Sequence, residues 1–260
     1  MSSAELIVEV EDRVCWLLIN RPERMNSITM EVLARIEEEL VRFERDPHVK
    51  AVAISGAGGK AFCSGVDLST MAAGASYFDL HQARASLGNL FQKMWRYPKP
   101  IFGVVDGYAL AGGFGLAAAC DFVVASEDAA FGVPEINVGV WPFIITVPLL
   151  RYVHPRVLLE MMMTGRRIGA EEAMRIGVVN WVFPKAELRE RATERISEIA
   201  SKSGAILALG KTSFYRALDM DSASALAYLQ SMLTVVTGLE DSREGLAAFT
   251  EKRPPEWKDR

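Results

Sequence analysis

Short apolar runs alternate with amphipathic ones from the start of the chain. Residues Val14–Ile19 are apolar and β-branched and stop at Asn20, Arg21 and Pro22, which predicts a strand followed by a turn. Thr29 then stands as an N-cap. After it, Val32, Ile36, Leu40 and Phe43 recur at helical spacing, with Glu37, Glu38, Glu39 and Arg42 between them. Asp46 and Pro47 end that helix. Residues 51–54, 101–105 and 122–125 are short apolar runs bounded by Gly, Pro or Asp, the pattern of buried strands. Pro155 opens a helix through Met163 that Gly165 closes, and residues 170–176 form another, closed by Gly177. Residues 178–183 predict a strand stopped by Pro184. From Glu187 the pattern changes: residues 187–201, 205–217, 222–237 and 242–252 are helical and carry almost no strand signal. The chain thus divides into a mixed α/β part, residues 1–185, and a helical part, residues 186–260, with no flexible linker between them.

Composition narrows the function classes. Of 260 residues, 50% are hydrophobic and 24% charged, so the chain forms a large core. A net charge of -4 argues against a nucleic-acid-binding surface, while a local Arg or Lys still suffices for a small anion. No apolar stretch is long enough to predict a transmembrane helix, so no membrane partner is expected. The N-terminus carries Glu5, Glu9, Glu11 and Asp12 and does not read as a signal peptide. Cys15, Cys63 and Cys120 are too scattered for a disulfide framework or a zinc site, and a cytoplasmic location is expected. His48, His81 and His154 lack metal-ligand spacing, so no metal is expected. His48 and His154 adjoin prolines and read as surface turns. His81, on a predicted helix, reads as a solvent-facing polar residue or a base.

Several motifs have a plain structural reading. Residues 56–61 match G-x-G-x-x-A after a strand, but no helix starts there. A P-loop would need Gly at 54 and Ser or Thr at 61, where the chain has Ile54 and Ala61. This is a glycine-rich turn, or a loop offering N–H groups to a ligand. Ser64 does not stand in G-x-S-x-G. Met161, Met162 and Met163 read as core filling, and Arg166 and Arg167 as charges at a helix C-terminus.

Three segments are harder to explain as scaffold. One runs from Lys60 to Leu68 through Cys63, Ser64, Gly65, Val66 and Asp67. A second runs from Lys99 through Gly107 to Ala111, Gly112, Gly113, Phe114 and Gly115 and leads into an Ala-rich helix. Glycine-rich turns at a helix N-terminus leave N–H groups unpaired, and two such turns can offer two donors to one oxygen. The third segment, Phe131 to Ile136, sets Glu135 among apolar residues. It is either a surface turn or a buried carboxylate whose pKa burial raises.

In this order, K-A-F-C-S-G-V-D-L, then K-P-I-F-G-V-V-D-G-Y-A-L-A-G-G-F-G-L-A-A-A-C-D, then F-G-V-P-E-I-N-V-G, the chain resembles the crotonase superfamily, the enoyl-CoA hydratase/isomerase family. Residues 20–28, N-R-P-E-R-M-N-S-I, and 164–173, T-G-R-R-I-G-A-E-E-A, match the same pattern. Residues 210–215 resemble the branch of enoyl-CoA hydratase domain-containing proteins. The resemblance implies an α/β fold, a spiral of ββα units with a C-terminal helical trimerisation region, assembled as a homotrimer or a dimer of trimers. It implies an acyl-CoA thioester as substrate, with CoA part of the substrate and no separate cofactor. It also implies that the N–H groups of Val66 and Gly112 form an oxyanion hole for the thioester oxygen and that Glu135 is catalytic. Arg24, Met25 and Ser27 would pass the CoA, with Arg24 either on a phosphate or simply solvated. Asp67, Leu68 and Ser69 would line the thioester and adenine side by main chain.

Two departures from the family pattern bear on the reaction and the substrate. Typical hydratases of the family carry two glutamates. Glu135 is one, and the position of the other is Gly115. One carboxylate is enough to move a proton between two carbons, so the first reading is double-bond isomerisation with Glu135 as shuttle. A second is hydration in which a water, His81 or Asp67 replaces the missing acid. A third is an acyl-CoA-binding protein without turnover. After Gly139, Val140, Trp141, Pro142, Phe143, Ile144 and Ile145 replace the small residues of many relatives. They either line the acyl end of the pocket, predicting an apolar acyl group, or pack into the core.

Overall fold

A computed structural model describes residues 4–67 and 76–260. The chain opens with an antiparallel hairpin, β1 (Leu6–Glu11) and β2 (Val14–Ile19), followed by α1 (Met30–Glu44). Three further turns of the same plan follow: β3 (Ala51–Gly56), β4 (Ala61–Cys63) and α2 (Tyr77–Arg96); β5 (Ile101–Val105), β6 (Tyr108–Leu110) and α3 (Gly112–Ala119); β7 (Phe122–Ser126), β8 (Ala130–Gly132) and α4 (Phe143–Leu150). In each of the three, the first strand enters one sheet and the second another. The six-stranded sheet runs β1-β2-β3-β5-β7-β10, closed by β10 (Trp181–Phe183). The four-stranded sheet runs β4-β6-β8-β9, closed by β9 (Arg167–Gly169). This is the spiral of ββα units that the family resemblance implies. The remaining helices are α5 (Pro155–Thr164), α6 (Ala170–Arg175), α7 (Leu188–Ala200), α8 (Gly204–Leu218), α9 (Ser222–Thr237) and α10 (Glu240–Glu251).

The central strands of the large sheet are buried on both faces, which is why they read as continuous apolar runs. Cys15, Leu17 and Ile19 of β2 face the main core with α1, α2 and α3, while Val14 and Trp16 face a second cluster with Leu188, Ala192 and Ile196 of α7. Helix ends follow the local chemistry. The Thr29 hydroxyl accepts from Val32 N and starts α1, and Gly165 (φ 66°) closes α5.

The structure corrects the strand expected over residues 178–183. Only Trp181–Phe183 pairs with β7, because Val178 and Val179 both donate to Ala173 O and close the end of α6. Helix α4 was not expected. It is apolar nearly all round and contains Pro148, so it shows no amphipathic period.

A buried ion pair ties α8 to the sheet. Lys211 Nζ lies 2.7 Å from Asp121 Oδ2, with side chains 11% and 9% exposed, and also donates to Lys99 O. Asp121 in turn accepts from Ile101 N at 2.7 Å. Removing one partner strands the other charge away from water. Lys211→Met should therefore lower the unfolding free energy by about 3–5 kcal/mol. Urea denaturation of Lys211→Met and of the double variant with Asp121→Asn checks this, with the double variant recovering part of the loss.

Candidate active site

A strap formed by residues 24–28 holds the first glycine turn. Met25 (φ 54°) and Asn26 (φ 53°) are both left-handed, a costly pair for residues with side chains. Fully buried Asn26 fixes it: its amide donates to Ala57 O at 2.9 Å and Ala61 O at 2.6 Å and accepts from Arg21 N at 2.9 Å. The strap delivers Ile28 as a single parallel partner for Val66, with Ile28 N donating to Gly65 O and Asp67 N donating to Ile28 O, each at 2.8 Å.

The second turn lies directly against the first. A Cβ on Gly112 would stand 3.3 Å from Val66 N, and a Cβ on Gly65 would stand 3.3 Å from Gly112 N. Gly113 lets the start of α3 approach this closely, since a Cβ there would fall 2.2 Å from Cys63 O. Ala111, the N-cap of α3, has φ 50° and ψ -127°, a strained backbone for alanine that re-aims the next peptide. Gly112 is the first helical residue, so its N–H has no partner within the helix. Among the described residues, neither Val66 N nor Gly112 N donates to a backbone or side-chain acceptor.

Glu135 enters from the small sheet. Leu110 of β6 pairs with Gly132 of β8, and Ala111 N donates to Gly132 O at 2.9 Å. Three residues on, Glu135 sits in a 3-10 turn, Pro134–Val138, closed by Gly139 (φ 77°). Its Oε2 is buried with no hydrogen-bond partner among the described residues. Burial pushes its carboxyl above the usual carboxylate range, with a backbone hydrogen bond opposing weakly. A half-buried carboxylate with a spare oxygen and a raised pKa is poised to take up and release a proton.

The wall beside α3 is apolar. A Cβ on Gly115 would meet Ile145 Cγ2 at 2.3 Å, Ile145 Cβ at 2.7 Å and Phe91 Cζ at 3.2 Å. Ile145, from α4, is 3% exposed and fills the space that any side chain at 115 would need.

The whole chain has known counterparts. The family model described as enoyl-CoA hydratase/isomerase matches residues 9–260. The chain belongs to the enoyl-CoA hydratase/isomerase family. It is similar to the mitochondrial enoyl-CoA hydratase domain-containing protein 3 of Rattus norvegicus, 34% identical, covering 95% of this chain and 82% of that one. It is likewise 34% identical to a short-chain-enoyl-CoA hydratase of Clostridium acetobutylicum, covering 97% of each. An enoyl-CoA hydratase structure from Mycobacterium smegmatis superposes with a TM-score of 0.94 at 34% identity, over 98% of this chain and 99% of that one.

The other expected positions of this acyl-CoA enzyme are distributed around the strap. Arg24 is exposed and forms no ion pair among the described residues, which leaves it available to an anion. Met25 and Ser27 lie on the strap. Ser27, like Asp67, faces the Arg21 guanidinium. Leu68 and Ser69 fall outside the described residues. Trp141 is half-buried against the main core. The segment expected after Gly139 is not one apolar lining: Phe143 is 75% exposed, while Pro142 and Ile145 are buried. His81 lies exposed on α2. Among the described residues no cluster of His, Cys, Asp and Glu is grouped to hold a metal ion. Sequence reading passed over Arg21 and Ala111. The first is visible only as part of N-R-P, and the second has no sequence signal for its positive φ.

Because Ile145 occupies the space beside Gly115, Gly115→Ala overpacks this wall. It should destabilise the protein by about 1–3 kcal/mol, read by chemical denaturation, and the double variant with Ile145→Ala, which removes the Cγ2 that the new methyl meets, should lose less than the sum of the two single changes.

Proposed function

We propose that this enzyme shifts the double bond of an enoyl-CoA thioester, with Glu135 as the single proton carrier. The observation that carries the reading is the filled wall at Gly115, beside which Glu135 offers a buried carboxylate oxygen with neither a hydrogen-bond nor an ion-pair partner among the described residues. In the 3-enoyl to 2-enoyl direction, the Glu135 carboxylate takes a proton from C2. The electron pair moves through the double bond and the thioester carbonyl to give a dienolate. The same carboxyl then returns the proton to C4. The oxyanion rests on the N–H groups of Val66 and Gly112, whose juxtaposition supports this role. Removing one such donor typically costs ~3–4 kcal/mol in catalysis. An apolar wall suits the step, since a dry site strengthens both hydrogen bonds and keeps water from the dienolate.

Hydration is the second reading, favoured by the similar proteins from Clostridium acetobutylicum and Mycobacterium smegmatis being hydratases by name. It requires a second proton-handling group beside Glu135, a role for which Asp67 is poorly placed because its carboxylate pairs with Arg21. A paired assay separates the two: crotonyl-CoA hydration against 3-enoyl-CoA isomerisation, in the parent and in Glu135→Gln. Isomerisation is expected, with at least a hundredfold loss in the variant, in line with general acid–base contributions of about 10²–10⁴. Fast hydration overturns the isomerase reading, and no turnover of either substrate favours a binding role. The rate should rise with pH through an inflection above the usual carboxylate range, because only ionised Glu135 is a base. Stability carries the opposite sign. The folded chain holds this proton more tightly than the unfolded one, so the group favours folding below the unfolded pKa. That contribution is lost as pH rises through the raised one. Glu135→Gln should thus be more stable than the parent at neutral pH and equal to it in acid, as thermal melts at the two pH values would show.

The expected trimer is part of the same proposal. Helix α9 has no buried residue in the single chain, with Leu226 71% and Leu233 63% exposed, and Phe249 of α10 is 85% exposed. Such apolar faces favour burial against further copies. Sedimentation at micromolar concentration should give a trimer or a multiple of it, and a monomer alone overturns the assembly.

A further inference from the structure

We propose that Arg21 is a positioning residue that aims the Val66 N–H at the thioester oxygen. The inference rests on the oxyanion role of Val66 given above. One guanidinium spans three chain segments. Nη1 donates to Ser27 O at 2.7 Å and to Ser27 Oγ at 3.1 Å, Nη2 pairs with Asp67 Oδ2 at 2.9 Å, and Nε pairs with Glu5 Oε1 at 3.1 Å. The other Glu5 oxygen accepts from the Thr29 hydroxyl at 2.9 Å, which also caps α1. The residues gripped by Nη1 and Nη2, Ser27 and Asp67, each flank one partner of the Ile28–Val66 bridge.

The bridge sets the direction of the Val66 peptide. In a parallel pair one residue bonds to the two neighbours of its partner, here Ile28 to Gly65 O and Asp67 N. The N–H of Val66 itself therefore faces away from the strap, on the side where Gly112 lies. A single bridge, unlike a long ladder, has no neighbouring pairs to hold its register. The Arg21 clamp supplies that restraint through side chains only 11% and 12% exposed, where solvent screening is weak. Its planar fork suits this task, and a lysine ammonium reaches one of the three segments at a time.

Loosening the clamp affects a hydrogen bond that strengthens as the oxyanion forms, so kcat falls more than KM rises. The test uses Arg21→Met, Arg21→Lys and Asp67→Asn. Asp67→Asn keeps the side-chain shape and serves if the Arg21 variants do not fold. Butyryl-CoA labelled with ¹³C at the thioester carbonyl is the probe, and infrared difference spectra read the C=O stretch of the bound ester. The parent should lower the stretch. The variants should lose part of that shift, with kcat for isomerisation down about tenfold and KM within about twofold. Arg21→Lys should fall between the parent and Arg21→Met. A shift and kcat retained in the variants, with a lower melting temperature alone, overturn the clamp. A parent spectrum without any shift overturns the oxyanion role of Val66 and the clamp with it.

Discussion

The close approach of the Gly65–Val66 turn to the start of α3 is the constraint around which the site is organised. Two N–H groups stand side by side there, and neither has a protein acceptor among the described residues. An unsatisfied buried donor costs roughly 1–3 kcal/mol, so the surroundings must hold both turns against rearrangement. They do so with backbone that alanine and methionine rarely adopt, at Ala111 and Met25, next to a left-handed Asn26. The buried amide of Asn26 and the Arg21 ion pairs keep that backbone in place. Strain of this kind persists only where the neighbouring contacts over-determine the conformation.

The second sheet brings Glu135 to these turns. Its strands are three residues long and contribute little by themselves, yet β6 and β8 lock Leu110 opposite Gly132. That register sets the Ala111 peptide and the Glu135 turn relative to each other. Across from them, α4 presses Ile145 against Gly115 and closes the wall. The electrostatic consequence is a carboxylate with one oxygen left without a partner, held above its ordinary pKa by burial. The proposed base is thus also a residue at which burial opposes the charged form, the usual trade at a functional group.

The helical end of the chain is joined to this arrangement by charge and by apolar packing. Lys211 reaches from α8 to Asp121 at the start of β7, and α7 covers the second face of the sheet. Helix α9 keeps its apolar side chains outside the single-chain core.

Much of this was determined by the sequence alone. Buried parallel strands need continuous apolar runs and helices need an apolar stripe, so β2, β3, β5, β7, α1, α5 and α9 were legible from local pattern. The glycine turns and Glu135 stood out through the family motifs that contain them, while local pattern by itself left Glu135 open between a surface turn and a buried carboxylate. Edge strand β1 was not anticipated: Val8, Glu9, Val10 and Glu11 alternate, but over too few residues to mark a strand by themselves. Nor were the three-residue strands of the small sheet, which are too short to show a period, or α4, which has no polar face. The approach of Val66 N to Gly112 N was expected from the family motifs and not from local pattern, and tertiary structure alone decided that Ile145 fills the space at Gly115 and that one arginine ties Ser27, Asp67 and Glu5 together. Each of these joins residues far apart in the chain, and local pattern carries no information about which distant segments will touch.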